Sequence, residues 1–208
     1  MKTLNKYINE TLVRLQSDRI NEWKANTNFV SSIDEHDMLY FVYKTNIKHN
    51  IRIFGEYWLN KYNTYKDKVY INGEHIKLDK YGYTEISFSP GKYNVYIKDI
   101  NDITNCKNMF WNCTDLIKVP LFDTSKVENM YLMFYNCQNL EDVPLFDTSK
   151  VRSMHRMFCA CQNLKVVPKF NTKKVEDMND MFYKCEMLNE QTKQIWSQVY
   201  NFDTHKKK

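Results

Sequence analysis

Glycine and proline are scarce, with four of each among 208 residues. The glycines are Gly55, Gly73, Gly82 and Gly91, and no two of them stand at the spacing of a dinucleotide fingerprint or a P-loop. Backbone cradles for phosphate are excluded, as are collagen-like and Gly/Ser-linker chains. No glycine follows position 91, so the second half must turn by other means. No 18-residue apolar run occurs, so no membrane span is expected. The opening Met1–Glu10 lacks the apolar stretch of a secretory signal. The expected location is therefore intracellular or virion-associated. No C-x-x-C, H-E-x-x-H, G-x-S-x-G or D-x-D element is present. No catalytic residue, metal site or cofactor is expected, and the chain reads as a non-enzyme.

Charge is present but diffuse. The net formal charge is +5, with 25 Lys and five Arg set against 25 acidic residues. The lysines are scattered among the acids instead of clustered on one stretch, so no nucleic-acid partner is expected. The residues set no oligomeric state.

The strongest feature is an internal repeat. Met109-Phe110 recurs as Met133-Phe134, Met157-Phe158 and Met181-Phe182. Cys113 recurs as Cys137, Cys161 and Cys185, and Leu116 as Leu140, Leu164 and Leu188, every step being 24 residues. Val119-Pro120 returns twice, and the linker Phe122-Asp123-Thr124-Ser125-Lys126-Val127 returns identically at 146–151 and weakened at 170–175. Val127, Met130, Met133-Phe134 and Cys137 make an apolar stripe that reads as a helix. Thr124 or Ser125 would cap it, Ser125 with Glu128 as a capping box. Leu140 to Leu145 reads as a brief strand ended by Pro144. One unit cannot bury its own apolar face, so stacked units are expected to form a short solenoid.

The pattern V-x-x-M-x-x-MF-x-x-C-x-x-L-x-x-VP-x-FDTSK resembles the BspA-like leucine-rich repeat proteins, also described as a mycoplasma-type surface-protein repeat. About three and a half units cover residues 101–188. The resemblance implies a leucine-rich-repeat fold and a surface, adhesion or protein-binding role, in a family found in viruses and phages as well.

The remainder divides around this repeat. Residues 1–28 read as an N-terminal helix, with Leu4, Ile8, Leu12, Leu15 and Ile20 on its apolar side. Residues 29–100 read as a small antiparallel β domain, a sandwich or half-barrel of about five strands, with an Asn72-Gly73 hairpin turn. Residues 189–208 read as a C-terminal capping helix and basic tail, with Ile195, Trp196, Val199 and Tyr200 inward. The expected fold class is α+β: N-terminal helix, antiparallel β domain, leucine-rich-repeat-like β/α solenoid, capping helix.

Four cysteines in one repeat slot read as a buried column, and Cys159 as an exposed thiol. Glu128, Arg152 and Glu176 alternate in sign in one slot and read as charge pairs between units. Function is expected at the variable, exposed repeat slots. Candidate partner-binding residues are Tyr131, Tyr135, His155, Arg156 and Tyr183 on the helical side, with Glu141 and Asp142 on the strand side. The expected role is a non-enzymatic protein–protein interaction module that presents a rigid repeat surface to a protein partner. The alternative is a structural or attachment component of a phage or virus particle, or of a cell-surface assembly.

Overall fold

The computed structural model describes residues 38–100 and 102–202. The N-terminal helix expected over 1–28 lies outside the described residues. Five strands form a single sheet: β1 (Met38–Thr45), β2 (Val69–Ile71), β3 (Glu74–Ile76), β4 (Gly91–Lys98) and β5 (Leu116–Lys118). Their order is β3-β2-β4-β1-β5, and every pairing is antiparallel. Two short α-helices are present, α1 (Glu56–Lys61) and α2 (Glu190–Trp196).

The central pair is β1 and β4, paired over eight residues from Met38↔Lys98 to Thr45↔Gly91. Both are rich in aromatic and β-branched residues that suit a pleated, half-buried surface. The Asn72-Gly73 turn joins β2 to β3 with both residues at positive φ, 51° and 88°, as a tight hairpin turn demands. Residues 83–88 make only isolated bridges, at Tyr83, Thr84 and Phe88. The fifth strand comes instead from Leu116–Lys118, inside the first repeat. The sheet is open, which corrects the sandwich or half-barrel reading.

The β/α solenoid reading is also corrected. Among the described residues of 101–188 there is no α-helix, and β5 is the one strand longer than an isolated bridge. Each apolar stripe is instead a run of tight turns. In the first unit, N–H groups of Met109, Trp111, Cys113 and Leu116 donate three residues back, to Cys106, Asn108, Phe110 and Cys113. A turn series of period three places apolar residues at i, i+3 and i+6, which mimics the start of a helical stripe. Helix is prevented by two left-handed residues per unit, four positions apart: Asn108 and Asn112, Leu132 and Asn136, Arg156 and Ala160, Asp180 and Lys184, with φ between 52° and 63°.

The units nonetheless stack in register. Asn108, Phe110 and Asn112 donate their N–H groups to the carbonyls of Tyr131, Met133 and Tyr135, and the next two junctions repeat this pattern. Alternate N–H groups thus close turns and join neighbours, so the backbone donors are satisfied without helix or ladder. Inside, Phe110, Phe134, Phe158 and Phe182 stack at 5.4, 5.5 and 5.8 Å with planes within 8°. Beside them runs the cysteine column, where Cys137, Cys161 and Cys185 thiols donate to the carbonyls of Phe110, Phe134 and Phe158. Thr124 and Thr148 hydroxyls donate to the carbonyls of Asp147 and Asn171 in the following unit.

At the far end the Asn189 side chain caps α2 by accepting from Thr192 N–H at 2.8 Å. Trp196 is fully buried edge-on to Phe170 and Phe182. The helix ends at Trp196, and Val199, expected inward, is exposed.

Candidate functional site

The turn segments carry a half-buried row of ring side chains. Tyr131 and His155 occupy the same slot of successive units and lie face to face, 5.3 Å apart with planes 7° from parallel. The Lys107 ammonium sits 5.1 Å from the Tyr131 ring centre on the same row. The His155 Nδ1 lies 3.3 Å from the Asp177 carboxylate. The neighbouring row holds Trp111 and Tyr135, stacked at 6.5 Å with planes 14° apart. Trp111 also meets the Arg52 guanidinium at 5.4 Å and the edge of Tyr57.

The structure therefore brings Tyr131 and His155 together, and sets Tyr135 against Trp111 in the row beside them. Tyr183 continues the Tyr135 row and is exposed, with the Lys184 ammonium 5.6 Å from its ring. Cys159 stands between them in sequence register and is buried at 4% exposure, which corrects its reading as an exposed thiol. Burial raises its pKa, partly offset by the nearby positive charges of Arg156 and Lys184.

Arg156 is occupied by its own chain. Its Nε and Nη2 both donate to Asp180 Oδ2, at 3.0 and 2.8 Å. Glu141 and Asp142 belong to a separate row, where bridges run Lys118↔Asp142↔Val166. There Lys165 lies 3.9 Å from Glu141, and Lys118 lies 3.7 Å from Asp142. Arg152 pairs with Glu176 at 2.7 Å. Such exposed pairs contribute about 0.2–1 kcal/mol each. They set register more than they hold the stack together.

A cleft of about 380 Å³ opens where α1 meets the first repeat. Trp58 forms part of its wall and donates its indole N–H to Asn105 O at 3.0 Å. Gly55, just before α1, donates to Met109 O, and a Cβ there would meet Asn108 O at 2.1 Å. The helix is thus pressed against the repeat. Tyr57, Lys61 and Tyr62 come from α1 and its end, and Lys107, Asn108 and Tyr131 from the repeats. Sequence reading missed this cleft because α1 carried no repeat signal and its partners lie about 50 residues away.

Among the described residues no group of three or more His, Cys, Asp or Glu is placed to hold a metal ion. No helix of these residues is long and apolar enough to cross a membrane.

An open antiparallel sheet continuous with in-register 24-residue units defines a repeat protein with an ordered aromatic face. Residues 92–206 match the family described as Mycoplasma protein of unknown function, DUF285, and the chain belongs to that family. No curated protein and no solved structure matches it.

Proposed function

We propose that the chain is a non-enzymatic protein-binding module whose repeat face docks a protein partner. The carrying observation is the pair of half-buried stacks, Tyr131 on His155 and Trp111 on Tyr135, each held by residues 24 apart in register. Large aromatic side chains dominate binding energy at protein interfaces. Side chains ordered before contact lose less entropy on binding. Tyr183 extends the row, while Arg156, Glu141 and Asp142, already paired within the chain, would act at the rim on partner choice. The likeness of the unit to BspA-like surface repeats supports the same reading.

The test is a partner captured from the source cells by the full chain and then titrated against variants. Tyr131→Ala with Tyr135→Ala should weaken its binding by at least about tenfold, with thermal unfolding retained. Glu141→Ala and Asp142→Ala should weaken it less. A captured partner whose affinity ignores the tyrosine pair would overturn the assignment of this face.

A further inference from the structure

The cleft between α1 and the first repeat adds Lys61 and Asn108 to the Tyr131 and Lys107 of the aromatic face. Two cations, Lys61 and Lys107, stand at its wall, and neither has a carboxylate partner among the described residues. Each ammonium instead lies over a tyrosine ring, Lys61 at 5.4 Å from Tyr62 and Lys107 at 5.1 Å from Tyr131. That placement fixes the charges beside apolar ring surface and leaves their N–H donors available.

Asn108 supplies the second observation. Its residue is 7% exposed, it lines the cavity, and its side-chain amide makes no hydrogen bond among the described residues. Its amide is not among the buried side-chain groups left unpartnered, so it is reachable from the cavity and free to meet a ligand. Its counterpart four residues on is paired: Asn112 accepts from Asn136 at 2.9 Å. The amide borders a space of about 380 Å³, within the usual range for small-molecule sites.

We propose that this cleft binds an acidic pyranose, a six-membered sugar ring that carries a carboxylate. The ring's C–H surface fits against Tyr57, Tyr62 and Tyr131. The carboxylate is set between Lys61 and Lys107. Neighbouring hydroxyls both give to and accept from the Asn108 amide, which offers donor and acceptor together. A neutral sugar would leave two cations unused, and a bare phosphate would leave the tyrosine walls unused. Two lysines are too few for a nucleic-acid track, whose affinity comes from many phosphate contacts. The cleft shares Tyr131 and Lys107 with the face of the protein-binding reading, whereas Lys61 and Asn108 belong to the cleft alone. Lys61→Gln should therefore lose the acidic sugar and keep the protein partner, which separates the two readings.

The experiment is a titration of the full chain with glucuronate and with N-acetylneuraminate, followed by saturation-transfer NMR and by tryptophan fluorescence, Trp58 being in the cleft wall. Glucose and inorganic phosphate at the same concentrations are the controls. A saturable response to either acidic sugar, absent with both controls, is expected. Lys61→Gln and Lys107→Gln should each weaken it by about tenfold. Asn108→Asp should do so as well by placing a like charge at the carboxylate. Aspartate already takes the equivalent left-handed position at Asp180 (φ 55°), so this variant keeps the backbone. Lys150→Gln, in the second repeat linker, should change nothing. Equal responses to glucose or phosphate would overturn the proposal. So would no saturation by either acidic sugar up to about 10 mM, or retained affinity in the Asn108 and Lys107 variants with unchanged thermal unfolding.

Discussion

The Cys161 thiol donates to the carbonyl oxygen of Phe134 across 2.9 Å, and that oxygen also accepts the N–H of Cys137. One carbonyl thus serves its own turn and the next unit at once. Burial pushes the thiols of the column well up from their ordinary range. All six cysteines are buried and unbridged, so the thiolate needed for attack is suppressed. Native protein treated with a thiol reagent at pH 8 should label on the order of 100-fold more slowly than a free thiol. Cys159 should label first, because two neighbouring cations counter part of its burial. Rapid labelling of Cys137 or Cys161 without unfolding, read by mass spectrometry, would refute this.

Phe158 lies between Phe134 and Phe182 in the ring stack and is fully buried. Phe158→Ala should cost about 3–5 kcal/mol of unfolding free energy. Phe158→Leu keeps most of the volume and should cost about 1.5 kcal/mol. Urea unfolding measures both, and a loss under about 1 kcal/mol for the alanine variant would show that the stack does not carry stability.

Ala160 holds φ at 63°, a region that L side chains occupy at a cost of about 1–2 kcal/mol. Ala160→Gly relieves that cost but loosens the unfolded chain. The net expectation is a gain of about 0.5–1 kcal/mol, seen as a rise in the thermal midpoint. A lowered midpoint would mean that the alanine methyl contributes packing worth more than the backbone relief.

Gly55 has an ordinary extended backbone, φ −69° and ψ 137°, so conformational freedom is not why it is there. Space is the reason, since an added methyl carbon meets Asn108 O at 2.1 Å. Gly55→Ala must push α1 off the first repeat and should cost about 1–3 kcal/mol. The Trp58–Asn105 bond should weaken with it, visible as a shift in indole N–H resonance. An unchanged midpoint would show that the helix gives way freely.

Asp123 accepts a hydrogen bond from Ser125, which holds its carboxyl below the ordinary range. A depressed folded-state pKa adds stability above the unfolded value of about 3.9, and that stability is lost as pH falls through the folded value. The carboxylate is exposed, so the effect is small. Asp123→Asn keeps the turn, as Asn171 does by accepting from Lys173 N–H. Its unfolding midpoint should fall less than wild type between pH 5 and pH 2, roughly the window around that carboxylate pKa. An identical acid limb would remove Asp123 from the account.

The repeat was legible because twelve or more residues recur at one offset, and their burial follows from the slot they hold. The Asn72-Gly73 hairpin was legible from two residues. The turn-built backbone was not, because Leu132, Arg156 and Ala160 give no composition signal for a left-handed residue. Asn108, Asn112 and Asn136 did carry one, since asparagine is enriched there. The fifth strand was hidden inside the first repeat, where Leu116 looked like one more repeat leucine. Of the candidate residues, Tyr131 and His155 stack on each other and Tyr135 stacks on Trp111, while Arg156 turned out to be occupied by Asp180. Sequence spacing records which slot a side chain holds, and not whether a charge in the next unit has already claimed it.

The two linkers Phe122–Val127 and Phe146–Val151 are identical in sequence, and each junction between units uses the same hydrogen bonds. Recombination between them would delete or duplicate one whole unit without a seam. The Gly55–Met109 and Trp196–Phe170 contacts would survive, because none of these residues lies between the linkers. The length of the aromatic row is therefore a quantity that heredity can alter in whole steps, separately from the sheet that anchors it.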